Sequence, residues 1–401
     1  MTKALTDKKL IDKVLTRGVD EVIKKEHLLK RLLSGDRLRI KLGIDPTSPN
    51  LHIGRAVVLL KLKDFQDLGH QIVLIIGDFT GVIGDTSDKD SERPMLDKKI
   101  VQKNLATYKE QAAKILNMEK VEFHYNSEWL GKLGYHQIGE QADQFSLAEF
   151  IARENIKKRL EKDTRISLRE LLYPLMQGYD SVAIKADVEL GGTDQRFNLL
   201  AGRELQKHYG QEPQDVIMTN LIEGTDGRKM SSSWGNTVNL LDESNDMFGK
   251  IMSIPDVLII KYFIHCTQMD TEEIKKMEME IKSEKLNPRD AKLKLAFEIT
   301  KIYHGEKEAK EAEEYFVNTF SKKEIPKDIQ EFKVTQPKIK LTELLFKSGN
   351  AKSLGDARRI IEQGGVEING EKVEDWKKVL GKNNDGDTLK VGKFRFVRVK
   401  F

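Results

Sequence analysis

The chain is predicted to be an α/β protein: a doubly wound parallel sheet occupies residues 1–241, a helical segment follows, and a small α+β module closes the sequence. Three patterns predict this. A strand, a helix and a second strand succeed one another between Arg39 and Ile76, as in a βαβ unit. Apolar residues then recur at helical spacing from Asp242 to Phe320. Beyond Lys338, two short helices precede a turn, a strand and a hairpin turn.

Arg39-Ile40-Lys41-Leu42 reads as a short strand, and Gly43-Ile44-Asp45-Pro46-Thr47 as a turn rich in breakers. Asn50 is the expected N-cap of a helix from Leu51 to Leu68, with Gly69 as its stop. The run Gln71 to Ile76 reads as a buried strand. Parallel sheets of this kind bind nucleotides at the carboxyl ends of their strands. At the helix start, Gly54 lets a flat ring lie on bare backbone. His52 is placed to donate a hydrogen bond to a phosphate oxygen, aided by the helix dipole. Alone, this stretch reads equally well as an ordinary helix start that carries His and Gly.

The next loop places Gly77, Gly81 and Gly84 around Thr80 and Asp85, then runs through the charged stretch Thr86 to Pro94. A solvated loop of mixed charge does not explain that glycine pattern at a strand end. Further on, Tyr173, Gln177 and Asp180 fall at i, i+4 and i+7, on one face of a helix. Ser167 to Ile184 is otherwise largely apolar, with Leu171, Leu172 and Val182 as neighbours, so a solvated face is hard to place. A buried polar stripe is costly unless something satisfies it. Asp187 to Leu190 reads as a strand and Arg196 to Tyr209 as a helix. Between them, Gly191-Gly192-Thr193-Asp194-Gln195 reads both as a capped turn and as a place for a ribose, whose vicinal diol suits a carboxylate.

Two short stretches 177 residues apart, His52-Ile53-Gly54-Arg55 and Lys229-Met230-Ser231-Ser232-Ser233, carry a family resemblance. Together they resemble the class I aminoacyl-tRNA synthetase signatures His-Ile-Gly-His and Lys-Met-Ser-Lys-Ser. They depart from them at Arg55 and Ser232. From Leu38 to Asn239 the chain is similar to tyrosyl-tRNA synthetases, in the bacterial branch with Lys-Leu-Gly, here Lys41-Leu42-Gly43. The resemblance implies a Rossmann-like catalytic domain that takes tyrosine, ATP with Mg²⁺, and tRNA(Tyr).

It also assigns residues. Asp45, Thr47, His52, Gly54, Arg55, Gly192, Asp194, Lys229, Met230, Ser231, Ser232 and Ser233 are assigned to ATP. Thr80, Asp85, Tyr173, Gln177, Asp180 and Gln195 are assigned to tyrosine. Lys41 joins them because the other branch has there a Tyr that meets the substrate hydroxyl. Asp180 is implied to accept that hydroxyl, and leaving it unpaired rejects phenylalanine, a discrimination for which this family is the standard example. Catalysis is implied for His52, Arg55, Lys89, Arg93 and Lys229, with Lys89 and Arg93 closing over pyrophosphate. Two alternatives stand beside this reading: a tryptophanyl relative, opposed by Asp180, and a synthetase scaffold turned RNA-binding protein, favoured only by Arg55 and Ser232.

Charge is uneven along the chain. The whole carries a formal +4, yet residues 338–401 hold 15 Lys and Arg against 9 Asp and Glu, so this module is +6 and the rest −2. A basic module on a near-neutral body suggests phosphate contacts. Its pattern resembles the S4 RNA-binding module, which puts Arg358 and Arg359 on an RNA-facing helix; alone, the pair reads as an ordinary charged surface. The resemblance makes 242–321 an anticodon-binding domain, and polar 322–337, with Pro326 and Pro337, a linker. One cysteine, Cys266, excludes an intrachain disulfide, and no Cys/His cluster suggests zinc. There is no apolar run of membrane length and no signal-like N-terminus. A cytoplasmic enzyme is expected, and the resemblance suggests a homodimer.

Overall fold

The computed structural model describes residues 3–87, 95–321, 329–392 and 395–401. Six strands form the main sheet: β1 Val19–Ile23, β2 Arg39–Ile44, β3 Gln71–Ile76, β4 Val121–Tyr125, β5 Val188–Gly192 and β6 Asp215–Thr219. Their order is β1-β6-β5-β2-β3-β4, with β1 antiparallel to β6 and the other neighbours parallel. The chain runs outward from β2 through β3 to β4, then returns to β5 and β6. The β2–β5 seam is therefore the topological switch point, where open α/β sheets hold their ligands. Parallel strands need cover on both faces, which is why Ile72 to Ile76 and Val188 to Leu190 are buried without alternation.

The first βαβ unit departs from the sequence reading at one point. The helix runs Ile53–Asp67, and its N-cap is His52 rather than Asn50. His52 forms an isolated bridge with Asn239, while Ile53 N–H donates to the Val238 carbonyl (2.9 Å) and Leu240 N–H to the Leu51 carbonyl (2.9 Å). Pairing with that distant segment holds residues 51 and 52 extended. The helix Leu168–Ile184 begins as expected at Ser167, which accepts from Arg169 N–H (3.3 Å), while Glu170 reaches back to Ser167 N–H (3.1 Å). The helix Arg196–His208 follows a short 3-10 turn, Thr193–Gln195.

The chain divides into two compact units: Met1–Leu241 with Ile254–Ala291, and Asp242–Ser253 with Lys292–Phe401. In the first, the helices Ile259–Cys266 and Thr271–Lys282 follow the sheet. Buried Arg17 donates to the carbonyls of Phe263, Ile264, Thr267 and Met269, tying the end of the former helix to the N-terminal region.

In the second unit, the helix Ser244–Met252 packs on Glu306–Phe316 through Phe248 and Phe316, whose rings lie 5.6 Å apart. Its strands are β7 Gln330–Lys333, β8 Lys338–Lys340, β9 Val366–Ile368, β10 Glu371–Lys372, β11 Val379–Gly381, β12 Thr388–Val391 and β13 Arg395–Lys400. They pair as β10-β9-β12-β13-β7 and as β11-β8. The expected helices are Leu341–Lys347 and Leu354–Glu362, and Asn369 and Gly370, with φ of 52° and 90°, make the hairpin turn. Residues 330–333, read from their polarity as linker, instead form β7, parallel to β13. Phe332 and Val334 pack there against the module's core of Leu341, Leu345 and Val399. Residues 322–328 of that linker lie outside the described residues.

Candidate active site

A cavity of about 410 Å³ opens at the carboxyl ends of β2, β3, β5 and β6, a size typical of small-molecule sites. One wall comes from the Leu168–Ile184 helix through Tyr173, Gln177 and Asp180. The end of β2 brings Asp45 and Thr47, and the Ile53–Asp67 helix brings His52, Gly54 and Arg55. Thr80 and Asp85 follow β3, Gly192, Asp194 and Gln195 follow β5, and Lys229, Met230, Ser231 and Ser232 close the opposite side. Residues scattered over almost 190 positions thus share one cleft because a parallel sheet presents all its strand ends on one edge.

Asp45 is the hub of the upper wall. Its Oδ1 accepts from Thr80 Oγ1 (2.7 Å) and its Oδ2 from the Tyr173 hydroxyl (2.8 Å). Burial pushes its carboxyl up to about 6, against those two hydrogen bonds, which favour the anion. A Cβ on Gly77 would sit 2.0 Å from Asp45 Oδ1 and 2.3 Å from Thr80 Oγ1, so only glycine leaves room for this pair. Arg55 lies alongside, donating to Thr47 Oγ1 (3.0 Å) and, at 3.4 Å, to the Asp45 carbonyl. His52 is buried, and burial, then Arg55, lowers its imidazole to about 3. It is therefore neutral near pH 7. A Cβ on Gly54 would stand 3.0 Å from that ring.

At the other end, Asp180 is only 3 % exposed. Its Oδ1 accepts from Trp129 Nε1 (2.7 Å) and its Oδ2 from Asn126 Nδ2 at 3.3 Å. Burial raises its carboxyl to about 7, opposed by Lys41 and by these two donors. Asp85 accepts from Ser87 N–H (3.0 Å) and from Gln195 Nε2 (2.7 Å), and Asn198 in turn donates to Gln195 Oε1 (3.0 Å). On the far side, Asn236 clasps the loop of Lys229. Its Nδ2 donates to the Lys229 carbonyl (3.0 Å) and Asp226 Oδ1 (2.8 Å), and its Oδ1 accepts from Ser231 N–H (2.9 Å). Asn236, then Arg228, holds the Asp226 carboxyl down at about 2.

The family model of tRNA synthetases class I (W and Y) matches residues 33–321, and that of the Tyrosine--tRNA ligase SYY-like C-terminal domain matches 322–398. The Tyrosine--tRNA ligase of Thermotoga maritima is 48% identical over 389 residues, 96% of each chain. That of Carboxydothermus hydrogenoformans is 47% identical over 398 residues, 97% of each chain. The chain belongs to the tyrosine--tRNA ligase family of class I synthetases. Among solved structures, the tyrosyl-tRNA synthetase of Archaeoglobus fulgidus complexed with L-tyrosine shares the fold, with a TM-score of 0.61 at 21% identity over 76% of this chain and 99% of that one. A C-terminally truncated mitochondrial tyrosyl-tRNA synthetase from Aspergillus nidulans gives 0.65 at 21% identity, over 78% and 93%.

For this synthetase, Lys41 is a residue singled out from the sequence that stands apart from the cavity wall. Lys41 is fully buried, and its ammonium donates to the Gln177 carbonyl (2.8 Å) and Ser181 Oγ (2.7 Å) while pairing with Glu189 (2.9 Å), so it does not border the cavity. Lys89 and Arg93 lie outside the described residues. Ser233 follows Ser232 into a short 3-10 turn, Ser232–Trp234. In the C-terminal module, Arg358 stacks on Trp376 (4.3 Å to the ring centre) and pairs with Glu362, while Arg359 pairs with Asp356. Trp129, Asn126 and Asn236 were missed. Asn126 had a faint signal, an amide just beyond a strand; Trp129 had none, since a lone tryptophan in a short helical turn reads as core.

Proposed function

We infer that the cavity is where this enzyme joins tyrosine to ATP before passing it to tRNA(Tyr). The observation that carries the reading is Asp180, a buried carboxylate on the wall of the same cavity that residues of both signature motifs line. A phenol adds a hydroxyl donor to those that Trp129 and Asn126 already give this carboxylate; phenylalanine adds none and covers the carboxylate with an apolar edge, so the desolvation goes uncompensated. Gln177 and Tyr173 border the same wall, where the substrate ammonium is expected. The nucleotide lies across Gly54 and Gly192, with Asp194 on the ribose.

In the first step the tyrosine carboxylate attacks the α-phosphorus, and the bond to the pyrophosphate oxygen breaks as that group leaves with the electron pair. In the second, a hydroxyl of the terminal adenosine of tRNA attacks the carbonyl and AMP leaves. Little covalent work falls to the protein: positioning and charge stabilisation carry the rate. Arg55, Lys229, Lys89 and Arg93 supply positive charge, and Arg55 offers a planar fork suited to phosphate. His52, being neutral, contributes a hydrogen bond.

Mg²⁺ is taken to arrive with the nucleotide, held chiefly by its phosphates. Residues 242–321 and the basic C-terminal module, with Arg358 and Arg359, are read as tRNA contacts. A cytoplasmic homodimer is the working assembly, which light scattering tests; among the described residues no helix is long and apolar enough to cross a membrane. The decisive experiment is ATP–pyrophosphate exchange with each amino acid in turn. Exchange that needs tyrosine supports the reading, and exchange that needs tryptophan or no amino acid overturns it.

A further inference from the structure

Lys41 precedes the cavity-lining residues Leu42 and Gly43 on β2 without bordering the cavity itself, and nothing in the reaction so far uses it. It stands on β2 directly opposite Glu189 of β5 in the parallel register, across the switch point. Both side chains are buried, at 0% and 1% exposure. An ammonium has three donors, and all three are engaged: the Gln177 carbonyl (2.8 Å), Ser181 Oγ (2.7 Å) and Glu189 Oε1 (2.9 Å). Glu189 is equally committed, with Oε1 accepting from Gln177 Nε2 (3.1 Å) and Oε2 from Ser181 Oγ (3.1 Å) and Gln214 Nε2. Residues 177 and 181 are one helical turn apart, and Asp180 lies between them.

We propose that Lys41 is a positioning residue for tyrosine selection: without touching the substrate, it clamps the helix turn that carries Gln177 and Asp180 and supplies the positive charge that Asp180 faces. Asp180 is also faced by Glu189 from β5, by Trp129 and Asn126 from the segment after β4, and by Tyr173 from its own helix. Of the charged groups among these, Lys41 favours its anion and Glu189 opposes it. The pair therefore tunes whether the carboxylate is ionised and ready to accept a hydrogen bond from the phenol near neutral pH. A purely structural ion pair would be replaceable by apolar groups at little cost, whereas a tuning pair would not.

This rests on the reading of Asp180 as the hydroxyl acceptor. The test measures tyrosine KM, ATP KM and kcat in pyrophosphate exchange from pH 6 to 9, for wild type, Glu189→Gln, Lys41→Met/Glu189→Gln and Asp180→Asn. The double variant removes both charges, so neither is left buried alone, and circular dichroism with thermal melting checks that it folds. The acidic limb of tyrosine binding should fall at lower pH in Glu189→Gln than in wild type, and at higher pH in the double variant. At pH 7 the double variant should raise tyrosine KM at least tenfold, with ATP KM and kcat within about threefold. Coincident limbs in all folded variants would overturn the role given to Lys41. If Asp180→Asn leaves tyrosine KM and its preference over phenylalanine unchanged, the tyrosine-site reading fails instead, and with it this inference.

Discussion

Replacing Gly77 by alanine should damage the site out of proportion to one methyl group. The added Cβ would lie 2.0 Å from Asp45 Oδ1 and 2.3 Å from Thr80 Oγ1, far inside contact distance. The backbone at β3 is held by parallel pairing on both sides, so the Asp45 carboxylate must move instead. That breaks its bond from Thr80 and strains the one from Tyr173. Hydrogen bonds to a charged group are worth about 1.5–3 kcal/mol each, so losing the equivalent of one to two gives about 3 kcal/mol. If that loss falls on the bound transition state, kcat/KM in pyrophosphate exchange drops about 100-fold. The pH dependence provides an internal check. Without its donors, Asp45 should titrate above its present value of about 6, so the defect should shrink as pH rises toward 8.5. Initial-rate exchange assays at pH 7 and 8.5, with a melting curve to confirm folding, decide it. A folded Gly77→Ala enzyme with wild-type kcat/KM would refute the role given to Asp45 and its two partners.

Lys229→Ala should lower the rate of adenylate formation at least ~100-fold with little change in tyrosine affinity, the scale of losing one charge-stabilising group. Rapid-quench kinetics would read both, and a near-normal rate would sink its assignment. Asp180→Asn should gain stability over wild type as pH rises. The folded carboxyl titrates near 7, above its unfolded value, so wild type keeps that contribution at low pH and loses it as pH climbs toward 7. Urea melts should show a difference growing by about 4 kcal/mol between pH 4 and 8, and a flat difference contradicts the burial argument. Arg358→Ala/Arg359→Ala should weaken tRNA binding and flatten its salt dependence while leaving pyrophosphate exchange intact; unchanged filter binding across salt would remove this pair from the RNA face.

The elements that could be read from the chain are those whose determinants are local. The β2–helix–β3 unit declares itself through period and breakers, and the polar face of Tyr173, Gln177 and Asp180 through spacing alone. Where a determinant is distant, the reading slipped. Asn50 has the right chemistry for an N-cap, but the bridge from His52 to Asn239 moves the helix start. Lys41 was read beside the substrate because of its place in a motif, while Glu189, the partner that takes its charge, is far along the chain. Likewise β7 looked like linker because its partner strand is the last in the sequence. Trp129 could not be singled out, since only the folded helix turn aims its N–H at Asp180.

The segment from Asn236 to Leu240 has an evolutionary consequence. Asn236 grips the Lys229 loop at one end, and Val238, Asn239 and Leu240 pair with Leu51, His52 and Ile53 at the other. Two motifs far apart in sequence are thus coupled through five consecutive residues. Because extended pairing alternates sides with every residue, inserting or deleting one amino acid here would turn the clasp of Asn236 away from the loop while the bridge re-forms out of phase. Surface loops in general tolerate changes of length. This one behaves as a ruler, and lineages of this enzyme should vary its letters while keeping its length.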